Sequence, residues 1–148
     1  MSEIDVVTEA DIVRPVSDVA MYAMDPLNAP AWYQNILRSE WRTEPPIRVG
    51  SVFAFEARFL GRALSYDYEV VELVPDKRFV MRTAQGPFPM ETTYEWSAIS
   101  GGTHMSLRNR GRPEGFSRWY APIMVPAIRR ANREDLANLR RILEAPPS

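Results

Sequence analysis

Cysteine is absent from the 148 residues, histidine occurs once (His104) and lysine once (Lys77). Without thiols the chain has no disulfide, no thiolate nucleophile and no cysteine-built metal site. With one histidine, a transition-metal site would have to rely mainly on carboxylates, and no spaced acidic cluster offers a set of them, so no metal is expected. Lys77 stands in a Pro75-Asp76-Lys77-Arg78 turn, which makes a buried Schiff base a poor expectation. No glycine-rich loop opens a helix, because Gly101-Gly102 joins two strand-like segments; nucleotide cofactors are therefore not expected, and the cofactor expectation is none. There is no basic excess, with Lys+Arg 18 against Asp+Glu 19, so nucleic acid is not an expected partner. No window approaches the roughly 18 consecutive apolar residues of a membrane span, and the first residues, MSEIDVVTEAD, carry acids where an export signal carries bases. These features imply a cytoplasmic protein without integral membrane association.

What is present is the composition of one ordinary domain, 45% hydrophobic and 25% charged, and residues 1–148 read as a single unit without repeats. A Val/Ile-rich strand, Val6 to Val13, stops at Arg14-Pro15. SDVAMYAM follows as a short helix capped by Ser17, with Val19, Tyr22 and Ala23 inward. DPLNAPAWYQNIL predicts a second short helix, with Asn28 as its cap, Pro30 in an early position and Trp32, Ile36 and Leu37 as its apolar stripe. After Pro45-Pro46, strands are predicted at Ser51–Leu60, Ala63–Leu73, Arg78–Thr83, Met90–Trp96 and Thr103–Arg110. Turns at Gly61-Arg62, Pro75-Asp76, Gly86-Pro87 and Gly101-Gly102 separate them, the pattern of an antiparallel meander. Phe116 to Leu143 closes the chain as a long helix, its start bent or delayed by Pro122 and Pro126. Ile128, Ala131, Asp135/Leu136, Leu139 and Leu143 recur along it at helical spacing.

Strand alternation separates two sheet faces. One carries Phe53, Phe55, Ala57 and Phe59, then Tyr66, Tyr68 and Val70, and in the later strands Phe79, Met81, Thr92, Tyr94, Trp96, Met105, Leu107 and Asn109. The other carries charges whose sign changes from strand to strand, as a solvated face should, and His104 and Arg110 fall there. Glu56 and Arg58 also face outward unless a bulge turns them. Arg129, Arg130, Arg133, Arg140 and Arg141, with Glu134 and Asp135, read as the solvated side of the last helix. One helix, about 10–12 Å across, is narrower than an aromatic face of six or more strands at roughly 4.8 Å spacing. Either the sheet curls until its rings touch, or a cavity remains.

An ordered set of short motifs bears on that choice: Ile12 and Pro15, Val19, Asp25-Pro26, the tryptophan of APAWYQNI, VGSVF, YEVVELVPDKRFVMR, GPFP, a strand ending at Trp96, GGTHMSL and REDLANLRRILE. In that order the chain resembles the START-like, or SRPBCC, superfamily and, within it, the polyketide cyclase/dehydrase-like proteins. The resemblance implies an α+β helix-grip fold: a curved antiparallel sheet of six or seven strands wrapped around a long C-terminal helix, with two short helices after the first strand. It also implies a deep cavity for a lipid, polyketide or similar hydrophobic small molecule. Expected ligand-binding residues are Phe55, Phe59, Tyr66, Tyr68, Met81, Thr92, Tyr94, Met105, Asn109, Tyr120 and Met124. Trp119 and Tyr120 would stand near the opening. The family includes carriers and enzymes, so a cyclase, aromatase or dehydratase using the tyrosines and Asn109 is an alternative to simple binding. A closed-cavity interaction module is another, and the chain is expected as a monomer or homodimer. No inward histidine, lysine or carboxylate is legible in support of catalysis.

Overall fold

The computed structural model describes residues 4–59, 61–85, 89–112 and 121–146. Seven strands form one antiparallel sheet: β1 (Ile4–Ile12), β2 (Ile36–Trp41), β3 (Val52–Phe59), β4 (Arg62–Val74), β5 (Arg78–Gln85), β6 (Met90–Ile99) and β7 (Gly102–Gly111). Their order is β1-β7-β6-β5-β4-β3-β2, a meander whose first strand returns beside the last. Helices α1 (Val16–Met24) and α2 (Ala29–Trp32), with a 3-10 turn at Pro26–Asn28 between them, follow β1, and α3 (Ala121–Glu144) ends the fold. The sheet curls around α3, giving the α+β helix-grip architecture. Among the described residues no helix is long and apolar enough to cross a membrane.

Turn chemistry sets the hairpins. Gly101 takes φ +81 between β6 and β7, and a Cβ on Gly102 would collide with the carbonyl oxygen of Ile12. The expected Gly86-Pro87 turn and the expected helical residues Phe116–Tyr120 lie outside the described residues.

Two local expectations need correction. Pro15, not Ser17, is the N-cap of α1, and Ser17 lies exposed in its first turn, because the helix already begins at Val16. The second short helix stops at Trp32, and Ile36 and Leu37 belong to β2. The reason is tertiary: the Gln34 amide donates to Asp135 Oδ1 at 2.8 Å, Asn138 Nδ2 donates to the Trp32 carbonyl at 3.3 Å, and the next residues pair with β3. Helix α3 thus captures groups that a continuing helix would have used itself. Asn28 sits at the start of α2, but its side chain donates to the Tyr22 carbonyl instead of capping.

Packing along α3 is uneven. Leu136, Leu139 and Leu143 join Val19, Ala20, Trp32, Phe53, Phe79 and Leu107 in the main core. Toward the helix start, Met124, Val125 and Ile128 pack on a separate small cluster of Ile4 and Val6. The helix is therefore seated firmly at its C-terminal end and against β1, leaving the sheet's centre uncovered in between.

The convex face is laced by ion pairs: Arg78 bridges Glu72 and Glu95, Arg82 meets Glu91, and Arg108 grips Asp5 with two bonds of 2.6 and 2.8 Å. His104 lies there between two carboxylates, Nδ1 2.6 Å from Asp11 and Nε2 3.1 Å from Glu9. The bonds to Asp11 and then Glu9 raise its pKa above the ordinary 6.5. A raised folded-state value stabilises fully below 6.5 and is lost as pH climbs through the folded pKa. His104→Gln should therefore lower stability more at pH 5.5 than at pH 8.5, by less than about 1 kcal/mol because the site is exposed. Urea unfolding at the two pH values measures this; a pH-independent difference would contradict it.

Candidate functional site

A cavity of about 760 Å³ lies between the concave face of the sheet and the stretch of α3 from Met124 to Asp135. Its aromatic wall is built by alternation on β3 and β4, which turns Phe55, Phe59, Tyr66 and Tyr68 inward. Cross-strand partners Phe55 and Tyr66 stand 5.5 Å apart, and Tyr66 and Tyr68 5.1 Å apart. The rings therefore brace one another along the wall and leave the space in front of them open. Met81, Thr92, Tyr94 and Asn109 come from β5 to β7, and Met124 from α3.

Nine of the expected ligand-binding residues thus line one cavity. Met105 does not: it is fully buried, paired with Trp96 and Ala10 where the short helices have already filled the end of the sheet. Tyr120, like Trp119, lies outside the described residues. Glu56 and Arg58 are exposed. Arg110, expected on the solvated face, lines the cavity together with its neighbours Asn109 and Gly111.

The polar lining falls into two groups. In the first, the Tyr68 hydroxyl lies 2.9 Å from Thr92 Oγ1, which donates to Asn109 Oδ1 at 2.6 Å. Since the Thr92 proton goes to Asn109, Tyr68 must donate to Thr92. In the second, the Tyr33 and Tyr94 hydroxyls are 2.6 Å apart. Burial pushes the Tyr68 phenol up to about 12 against the opposing bond to Thr92, and raises Tyr33, Tyr66 and Tyr94 well above the usual phenol value. All four remain neutral hydrogen-bonding groups at ordinary pH.

The decisive group was not legible as a site residue. Asp135, expected on the solvated side of α3, is 2% exposed and lines the cavity. Burial raises its carboxyl to about 7, the Gln34 amide bond opposing and Glu134 adding to the rise. An inward carboxylate therefore exists, contrary to the sequence reading. The signal was its spacing, four residues after Ala131 and four before Leu139, which put it in the apolar stripe. Asn132, 4% exposed, lines the same cavity. Such a lining can hold a carbonyl or hydroxyl against neutral donors and exchange a proton near neutrality. Among the described residues no group of three or more His, Asp or Glu is placed to hold a metal ion.

Comparison with known proteins agrees with this architecture. Residues 3–144 match the family described as polyketide cyclase / dehydrase and lipid transport. No curated protein matches the chain significantly in sequence. Among solved structures, an aromatase/cyclase, Zhui, from Streptomyces sp. R1128 superposes with a TM-score of 0.80 at 15% identity, over 99% of this chain and 100% of that one. A protein of Thermus thermophilus gives 0.82 at 16% identity, over 94% and 96% of the two chains. The ginseng major latex-like protein 151 of Panax ginseng gives 0.76 at 10% identity, over 97% and 99%.

Proposed function

Since the chain belongs to the polyketide cyclase / dehydrase and lipid transport family, we propose that it binds one hydrophobic or aromatic small molecule in the cavity between sheet and α3. The observation that carries this reading is the cavity itself, about 760 Å³, within the roughly 300–1,000 Å³ of small-molecule sites. Its wall is aromatic, with a few polar groups at two places, the usual division between affinity and orientation. An interior of that volume does not favour an interaction module with a filled core.

The reading is tested by titrating the protein with the fluorescent fatty acid cis-parinaric acid and by displacing it with sterols and aromatic polyketides. Saturation at one molecule per chain is expected. No saturable binding by any member of the panel would overturn the reading.

Asp135 favours a second reading, cofactor-independent cyclisation or dehydration. A carboxyl near neutrality can take a proton from a carbon beside a ketone while a neutral phenol, such as Tyr94, donates to the developing enolate oxygen. In cyclisation the enolate carbon attacks a second ketone of the same molecule, the new C–C bond forming as that C=O π bond breaks, and Asp135 returns its proton to the resulting alkoxide. In dehydration the enolate expels its β-hydroxyl, which takes that proton and leaves as water. In both, the phenol keeps or recovers its own proton as the first carbonyl re-forms, so no outside reagent is needed.

A further inference from the structure

Asn132 presents a buried amide with an unmet need. It is 4% exposed, it lines the cavity, and its Nδ2 has no hydrogen-bond partner among the described residues. Trp32 Nε1 and Trp96 Nε1 share that condition, but neither indole lines the cavity. A buried donor left unpaired is costly, so a partner arriving through the cavity is the natural completion of this site. One turn further along α3, Asp135 engages the Gln34 amide with Oδ1 only. Its second oxygen has no partner among the described residues.

Residues three apart on a helix share a face, with Cβ atoms about 5–6 Å from each other. Asn132 and Asp135 therefore offer an amide donor and a carboxyl oxygen side by side, opposite the wall of Phe55 and Tyr66. We propose that they form a two-point reader for an aromatic ketone that also carries a hydroxyl on the same edge, Asn132 Nδ2 donating to the carbonyl and Asp135 accepting from the hydroxyl. The flat wall selects the ring, and the helix pair selects the two oxygens and their separation. Neighbouring oxygens would bond to each other instead of to the helix, so a meta relation suits the pair best. The proposal rests on the cavity being a ligand site and adds the class of ligand.

The test compares four probes by calorimetric titration: 3-hydroxybenzophenone, benzophenone, 3-methoxybenzophenone and 3-benzylphenol, which lacks the carbonyl. The parent protein should bind 3-hydroxybenzophenone about tenfold more tightly than any of the others, the scale of one hydrogen bond. Asn132→Leu should weaken both benzophenone and 3-hydroxybenzophenone about tenfold while leaving 3-benzylphenol unchanged. That unchanged ligand also shows that the variant is folded. Asp135→Asn, measured at pH 8.5, should erase the preference for hydroxyl over methoxy. Equal weakening of all four probes by Asn132→Leu would make the amide a packing group, and no weakening would make it an amide satisfied by water; either result overturns the proposal. So does a parent protein that binds cis-parinaric acid but not 3-hydroxybenzophenone, a result that leaves the cavity reading standing. Failure of every probe, parinaric acid included, would remove both.

Discussion

At pH 8.5 the Asp135→Asn protein is expected to be more stable than its parent by about 2 to 4 kcal/mol, a gap that closes as the pH falls to 4. The carboxyl sits at about 7 in the folded chain against an ordinary 3.8, because burial penalises its ionised form. A raised folded-state value means that the native protein holds this proton more tightly than the unfolded chain. Its stabilising contribution is complete below 3.8 and lost as the pH rises through 7, where a buried charge must be formed. Asparagine keeps an oxygen for the Gln34 amide and never ionises, so it escapes the loss. The other groups facing Asp135 are Tyr33, Tyr66, Tyr94 and Glu134. The three phenols stay neutral across this window. Chemical denaturation of both proteins at pH 4, 7 and 8.5 gives the comparison, and a gap that does not widen with pH would contradict the assigned environment. If the cavity catalyses cyclisation, the same variant should lose turnover of a poly-β-keto mimic by a factor on the order of 10² to 10⁴ while becoming more stable.

Ala131→Trp should abolish ligand binding, weakening cis-parinaric acid by roughly 100-fold or more, and should leave the thermal midpoint within a few degrees of the parent. Ala131 lines the cavity on α3, so an indole there enters empty space. The same change at Ala20 should behave in the opposite way. Ala20 is fully buried in the packed core of α1 and does not line the cavity, so Ala20→Trp overpacks and costs about 1 to 3 kcal/mol or more. Thermal unfolding and parinarate titration of the two variants separate a vacant interior from a filled one. Equal destabilisation at both positions would mean that the space at Ala131 is not available.

The parts of this fold legible in the sequence are those fixed by local period. Phe53, Phe55, Ala57 and Phe59 share a face because a strand alternates, and the breaks between β3 and β4, β4 and β5, and β6 and β7 follow from the turns at Gly61-Arg62, Pro75-Asp76 and Gly101-Gly102. Strand β2 was hidden because Trp32, Ile36 and Leu37 also fit helical spacing. What decides for a strand is a bond between residues far apart in sequence, Asp135 to Gln34, together with pairing to β3. The site shows the same division. Met105 and Asn109 alternate in phase on β7, but one meets packed core and the other meets the cavity, according to where the helices close the sheet. Asp135 and Asn132 are residue types usually found in water, and only the seating of α3 turns them inward. The Tyr33–Tyr94 contact joins positions 61 residues apart and has no local signature.

Whether the cavity holds a guest is read most directly by native mass spectrometry of the gently purified chain, alone and after incubation with fatty acids, sterols and aromatic ketones, beside Ala131→Trp. One bound molecule per chain is expected in the parent and none in the variant. A parent that carries no adduct under any of these conditions, or a variant that carries the same adduct to the same extent, would contradict this expectation.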